Sequence, residues 1–228
     1  MPDSNAPLRP ALHAEQKLVT AILEGLYPAG STLPAERELA VKLGVTRPTL
    51  REALQRLERD GWITIQQGRP TLVNDIWTQG GLNVLSALVR NGHPLPEEFV
   101  PRLLEVRQSM GPAYARTAVE RNAAVIVELL AAGADLAESP EDFAAFDWKL
   151  QHTLTVASGN PIYTLILNGF VGFYQIMGRR YFANPAARAA SRAFYAALYA
   201  AALAGDADLA EQITREALTR SVDLWRQA

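Results

Sequence analysis

The sequence predicts a mainly α-helical protein in two parts: three short helices closed by a small β-hairpin over residues 1–77, then an all-α bundle of seven helices over 78–228. Three observations lead there. Apolar residues recur at spacings of three and four along nearly the whole chain. One run breaks that period with β-branched and aromatic residues, Trp62–Gln66, and the turn-like Gln67-Gly-Arg-Pro70 separates it from Thr71–Val73. Gly-Asn-Pro (159–161) and Ala-Asn-Pro (183–185) then punctuate the second part as helix starts, Asn capping and Pro entering the first turn.

The first helix is read over residues 12–26, where Leu12, Leu18, Val19, Ile22, Leu23 and Leu26 form one apolar stripe. Tyr27–Pro34 is rich in turn formers, and Pro34 is expected in the first turn of a second helix that buries Leu39, Ala40 and Leu43 and stops at Gly44. The third helix is the best specified. Thr46 is a good N-cap and Pro48 suits the first turn, while Leu50, Ala53, Leu54 and Leu57 bury one face and Arg47, Arg51 and Gln55 point away. Gly61 ends it, and the hairpin follows. Helix, helix, helix, hairpin is a winged helix-turn-helix.

Ile76–Gly80 reads as the junction. Helices are then expected at 82–91, 96–121 with a kink at Pro112, 123–137, 140–157, 161–182, 186–204 and 206–226. Cysteine is absent, which removes disulfides, thiolate metal sites and thiol nucleophiles. No apolar run reaches a membrane span, and residues 1–10 are too polar for a signal peptide, so a soluble, cytoplasmic protein is expected.

Net charge is −2, so overall basicity does not point to nucleic acid. The excess is local: residues 31–74 carry seven Lys/Arg against five Asp/Glu, and 78–228 carry thirteen against fifteen. A helix-turn-helix puts the start of its second helix in a major groove, making Thr46, Arg47, Thr49 and Arg51 the groove-facing set, with Arg37 within reach. Arg47 suits a guanine edge; Thr46 and Thr49 suit phosphate or a thymine methyl. At the hairpin tip, Gln67, Gly68 and Arg69 suit an adjacent minor groove. Taken singly, each arginine reads equally well as a solvated helix face. Capped helix, glycine turn, polar stripe and Gly-Arg tip in that order make double-stranded DNA the expected partner.

These residues carry a resemblance. Leu33-Pro-Ala-Glu-Arg-Glu-Leu39, Gly44-Val-Thr-Arg47, Leu50-Arg-Glu-Ala-Leu54 and Leu57-Glu-Arg-Asp-Gly61 resemble the DNA-binding module of the GntR family of bacterial repressors. Asp60–Thr71, Ala157-Ser-Gly-Asn-Pro-Ile-Tyr163 and Arg180-Tyr-Phe-Ala-Asn-Pro185 resemble its fatty-acid-responsive FadR subfamily, from about Leu18 to Trp225. The resemblance implies DNA contacts at Arg37, Thr46, Arg47, Thr49 and the tip 67–69, although Pro48 replaces a threonine and Gln67 a histidine of that subfamily. It also implies a homodimer with no cofactor. The regulator would repress fatty-acid degradation genes, activate synthesis genes, and leave DNA on binding long-chain acyl-CoA lined by Arg107, Tyr174, Tyr181, Arg215, Ser221 and Trp225.

From spacing alone, Tyr174, Tyr181 and Trp225 read as core aromatics. Ala217-Leu218 stand where the subfamily has an aromatic–glycine pair, which sets a leucine at the ligand channel. Many GntR relatives hold a metal through an Asp and three His. Here Asp147 is followed one turn later by Gln151, and His152 faces about 100° away; His13 and His93 lie elsewhere, so no metal is expected and Asp147 is read as pairing within the bundle. The alternative is a GntR-type repressor answering to a different small carboxylic acid. An enzyme is disfavoured because no nucleophile has a matched base.

Overall fold

A computed structural model describes residues 10–90, 95 and 97–227, and the chain forms two compact units, Met1–Pro94 and Leu95–Ala228. In the first, α1 (Pro10–Leu23), α2 (Glu36–Leu43) and α3 (Arg47–Arg59) pack on one another, α3 meeting both of the others. Thr46 caps α3 by accepting from the Thr49 amide, and Pro48 lies in the first turn. Leu50, Ala53, Leu54 and Leu57 are buried along one stripe, as the spacing required. Pro34 does not enter α2: Ala35 is the N-cap and Leu33 is instead tied by its amide to Thr71. Gly44 closes α2 in the left-handed conformation, φ 69°, which a side chain rarely adopts.

The hairpin is shorter than its sequence suggests. β1 (Ile63–Thr64) pairs antiparallel with β2 (Leu72–Val73), and Thr32 adds an isolated bridge to Leu72. Its base is held by Asn74, whose side-chain amide donates to the Gly61 carbonyl while its oxygen accepts from the Thr64 hydroxyl. Residues expected as a junction form α4 (Ile76–Gln79), capped by Asp75. α5 (Asn83–Arg90) follows, with Asn83 donating to Asp60. The division expected at 77/78 thus falls inside the first compact unit.

The second unit contains α6 (Phe99–Ala132), α7 (Pro140–Ala157), α8 (Pro161–Asn168), α9 (Val171–Phe182), α10 (Pro185–Ala204) and α11 (Ala207–Arg226). α6 and α11 share the most extensive packing, and α7 lies against α6 and α9. α6 is two helices joined at Asn122, whose φ/ψ of −146°/47° is non-helical. The expected break between 121 and 123 is there, and the helix runs on through Pro112 with helical dihedrals. The bend has a chemical purpose: Asn122 Nδ2 donates to the Ala157 carbonyl at 2.9 Å and Arg121 Nη1 to the Ser158 carbonyl at 3.2 Å, supplying donors to the end of α7. The helix expected at 161–182 is split at Gly169-Phe170, where a residue of low helix propensity lets the chain turn between α8 and α9. Asn160 and Asn184 cap α8 and α10, each with Pro at the next position. His93 and position 96, where a helix was expected to begin, lie outside the described residues.

Candidate nucleic-acid interface and ligand cavity

The N-terminal end of α3 is a polar, solvent-facing surface. Arg37, Thr46 and Arg47 are exposed and Thr49 is half-buried. Among the described residues, neither Arg37 nor Arg47 has a protein partner, so both guanidiniums are available to an external anion. Arg51 differs: its Nε donates to Glu36 Oε2 at 2.8 Å, tying α3 to α2. The Thr46 and Thr49 hydroxyls lie 2.8 Å apart, so Thr46 both caps the helix and stands on its open end. At the hairpin tip, Gln67, Gly68 and Arg69 are all exposed. Gly68 sits at φ 73° with open space where a side chain would begin.

In the second unit a cavity of about 130 Å³ opens between α6, α7, α8, α9, α10 and α11. Its walls are mainly apolar, with Leu103, Leu104, Met110, Phe173, Met177 and Phe194 among them. Arg107, Tyr174, Tyr181, Ser221 and Trp225 all line it. Arg215 does not: it is exposed on α11 and pairs with Glu211 one turn back, at 2.7 Å. Arg220 lines the cavity instead.

The polar part of the wall is organised around Asp147. Tyr174 donates to its Oδ2, Tyr195 donates to its Oδ1 at 3.0 Å, and Arg107 Nη2 stands 3.8 Å away. Arg107 also lies over the Tyr174 ring, 5.6 Å from its centre. Its Nε is buried and has no hydrogen-bond partner, a donor left unsatisfied in an apolar setting. Burial opposes the charge on this guanidinium, but Tyr174 and Asp147 outweigh it and hold its pKa above the ordinary value. Burial, then the Asp147 carboxylate, drives the Tyr174 and Tyr195 hydroxyls well above their usual range, so both remain donors. Tyr114 and Tyr181 are pushed up to about 12 by the same burial, and at Tyr114 the nearby Arg107 pulls the other way. Tyr114 donates to Gln151 Oε1 at 2.6 Å, one helical turn along α7 from Asp147.

Asp147 therefore pairs inside the bundle, and among the described residues no group of three or more His, Cys, Asp or Glu could hold a metal. Sequence reasoning missed Gln151 and Arg220 as cavity residues, and Tyr195 as the partner that holds Asp147 from behind the wall. Tyr195 lies in the alanine-rich helix expected at 186–204, whose spacing gives no sign of a partner on α7. No described helix is long and apolar enough to cross a membrane.

Comparison with known proteins gives this geometry a family. Residues 10–73 match the bacterial regulatory proteins of the gntR family, and residues 74–228 match the FadR C-terminal domain. The chain is 48% identical over 189 residues to the fatty acid metabolism regulator protein of Shewanella pealeana, covering 82% of this chain and 78% of that one. It is 43% identical over 218 residues to the protein of the same name in Escherichia coli, covering 96% and 91%. Among solved structures, the Listeria monocytogenes regulator Lar aligns with a TM-score of 0.66 at 16% identity, over 99% of each chain, a likeness of fold alone. The chain belongs to the GntR family of bacterial regulatory proteins, in its FadR branch: a transcription regulator of fatty acid metabolism and not an enzyme.

Proposed function

We propose that the chain works as a cytoplasmic homodimer on a near-palindromic operator, without a cofactor, and that a long-chain acyl-CoA held in the cavity of the second unit releases it. Two-fold protein symmetry matches two-fold DNA. Arg37, Thr46, Arg47 and Thr49 at the start of α3 read the major groove, with Arg51 reaching a phosphate once it leaves Glu36. Gln67, Gly68 and Arg69 enter the flanking minor groove. Bound in this way, it represses fatty-acid degradation genes and activates synthesis genes.

The observation that carries the effector half is the setting of Arg107: a half-buried guanidinium whose Nε is buried and unsatisfied, on the wall of an apolar cavity that also presents Tyr174, Tyr181, Ser221 and Trp225. Apolar walls receive an acyl chain, and convergent donors receive carbonyl and amide oxygens. Arg215, exposed on α11, suits a phosphate that stays in solvent. Ligand binding weakens DNA affinity through a coupling of about 1–3 kcal/mol. One feature favours a second reading: about 130 Å³ is well under the roughly 300–1,000 Å³ of most ligand pockets, so the cavity as it stands has room for a short carboxylic acid.

Operator titration at fixed salt, alone, with palmitoyl-CoA, and with a short free carboxylic acid, tests both. Release by palmitoyl-CoA is expected. Release by the short acid alone would replace the first reading with the second, and tight binding that ignores both would remove effector control from this cavity. Failure to prefer operator over random DNA would overturn the reading of α3.

A further inference from the structure

Beside the cavity, α6 and α11 approach each other closely at a glycine and a leucine. Gly111 is buried one helical turn beyond Arg107, and a Cβ built on it would fall inside the envelope of Leu218 Cδ1. Leu218 therefore seats its side chain in a notch that exists only because residue 111 has no side chain. It is 6% exposed and lines the cavity. The same notch is bounded by the Tyr114 hydroxyl and by Thr214 Cγ2, 3.6 and 3.7 Å from that Cβ position.

The lining residues also order the cavity from mouth to interior. Val106, 46% exposed, and Arg220, exposed, mark the opening. Tyr114 at 3% and Gln151 at 1%, joined by their hydrogen bond, mark the inner end. Leu218 stands on the buried side, next to Tyr114. Leu218 thus belongs to the enclosed wall and not to the opening.

We propose that Leu218, seated on Gly111, is the residue that sets how long an acyl chain this cavity accepts. This rests on the acyl-CoA reading above. Two substitutions then act in opposite directions. Trimming Leu218 to Val or Ala vacates the volume of one or three carbons at the inner end. Adding a methyl at Gly111 evicts the leucine from its notch, and the cavity it lines is the open space into which it turns.

The test is direct binding of straight-chain acyl-CoAs, from octanoyl to stearoyl, to the full chain by calorimetry. The parent is compared with Leu218→Val, Leu218→Ala, Gly111→Ala and the Gly111→Ala/Leu218→Ala double variant. Thermal melts without ligand confirm that each is folded; Leu218→Val removes a single methyl and keeps the test open if Leu218→Ala does not fold. The tightest-bound chain should lengthen by about one carbon in Leu218→Val and about three in Leu218→Ala, each newly buried methylene strengthening binding about fourfold. It should shorten in Gly111→Ala, and the double variant should undo that shortening. A common change in affinity at every chain length would overturn the gauge and leave the acyl-CoA reading standing. Absence of binding by any acyl-CoA, to parent and variants alike, would overturn both.

Discussion

Arginine is used in opposite ways in the two units. Arg47 stands exposed at the start of α3 with no partner among the described residues, so its charge remains available to something outside the protein. Arg107 is enclosed on α6, with Asp147 3.8 Å away, Tyr174 under its guanidinium and one nitrogen unsatisfied. The first setting costs the fold almost nothing and leaves the charge open to solvent; the second places a charge where removing its counter-ion is expensive. Reading the residue type alone would give both the same role. Burial and the position of the nearest carboxylate separate them.

The largest effect that could break this contrast is expected at Asp147. Asp147→Asn leaves the Arg107 charge without its counter-ion inside the bundle and should lower stability by about 3–5 kcal/mol, read from urea unfolding. If Asp147→Asn melts like the parent, the internal ion cluster is not what holds this wall together.

The tyrosines of the same wall give a second handle. Tyr114 and Tyr181 are held at about 12 in the folded protein, above the free phenol at 10.0, so folding favours their protonated forms. Their contribution is complete below pH 10 and is lost as pH rises from there through about 12, a change on the order of 2 kcal/mol each. Denaturant midpoints that fall steeply across that window, and fall less in Tyr181→Phe, are the expected result. A flat profile up to pH 12 would contradict the burial seen here.

In the first unit the expected effects are on binding. Arg47→Ala should weaken operator affinity by about 1–3 kcal/mol and relax base preference, with unfolding stability unchanged within about 0.5 kcal/mol. Operator binding equal to the parent would remove Arg47 from the reading face. The smallest effect belongs to Arg51, whose ion pair with Glu36 has side chains 59% and 36% exposed. Glu36→Gln should cost under about 0.5 kcal/mol in stability once solvent screening is allowed for. It should also sharpen DNA affinity, by freeing a cation and removing an acid from the face. Weaker operator binding by Glu36→Gln would show that the pair positions Arg51 for contact.

The same contrast explains what was legible in the sequence. Elements whose ends carry their own punctuation were placed closely: Thr46 with Pro48 for α3, Asn160 and Asn184 with their prolines for α8 and α10. An exposed face follows from the buried stripe opposite it, so the outward position of Arg47 was readable from Leu50, Ala53, Leu54 and Leu57. The cavity was only partly readable, because its walls come from six helices and its chemistry depends on which side chains meet across them. Tyr195 reaches Asp147 over 48 residues of chain and Tyr114 reaches Gln151 over 37, separations at which no local period speaks. The pairing of Gly111 with Leu218 was invisible for the same reason. The Thr32 bridge escaped because one paired residue carries no strand pattern.

The hairpin tip has a consequence for how such a protein changes over generations. β1 and β2 end before it, and its base is fixed by Asn74, Thr64 and Gly61, not by anything at positions 67–69. Substitutions at Gln67 and Arg69 therefore carry almost no folding penalty and can drift; on the proposed DNA reading, related chains would acquire new operator preferences while the scaffold stays the same. Gly68 is the exception. Its positive φ leaves a single position of the tip under structural constraint, so the wing can vary in what it says far more freely than in how it bends.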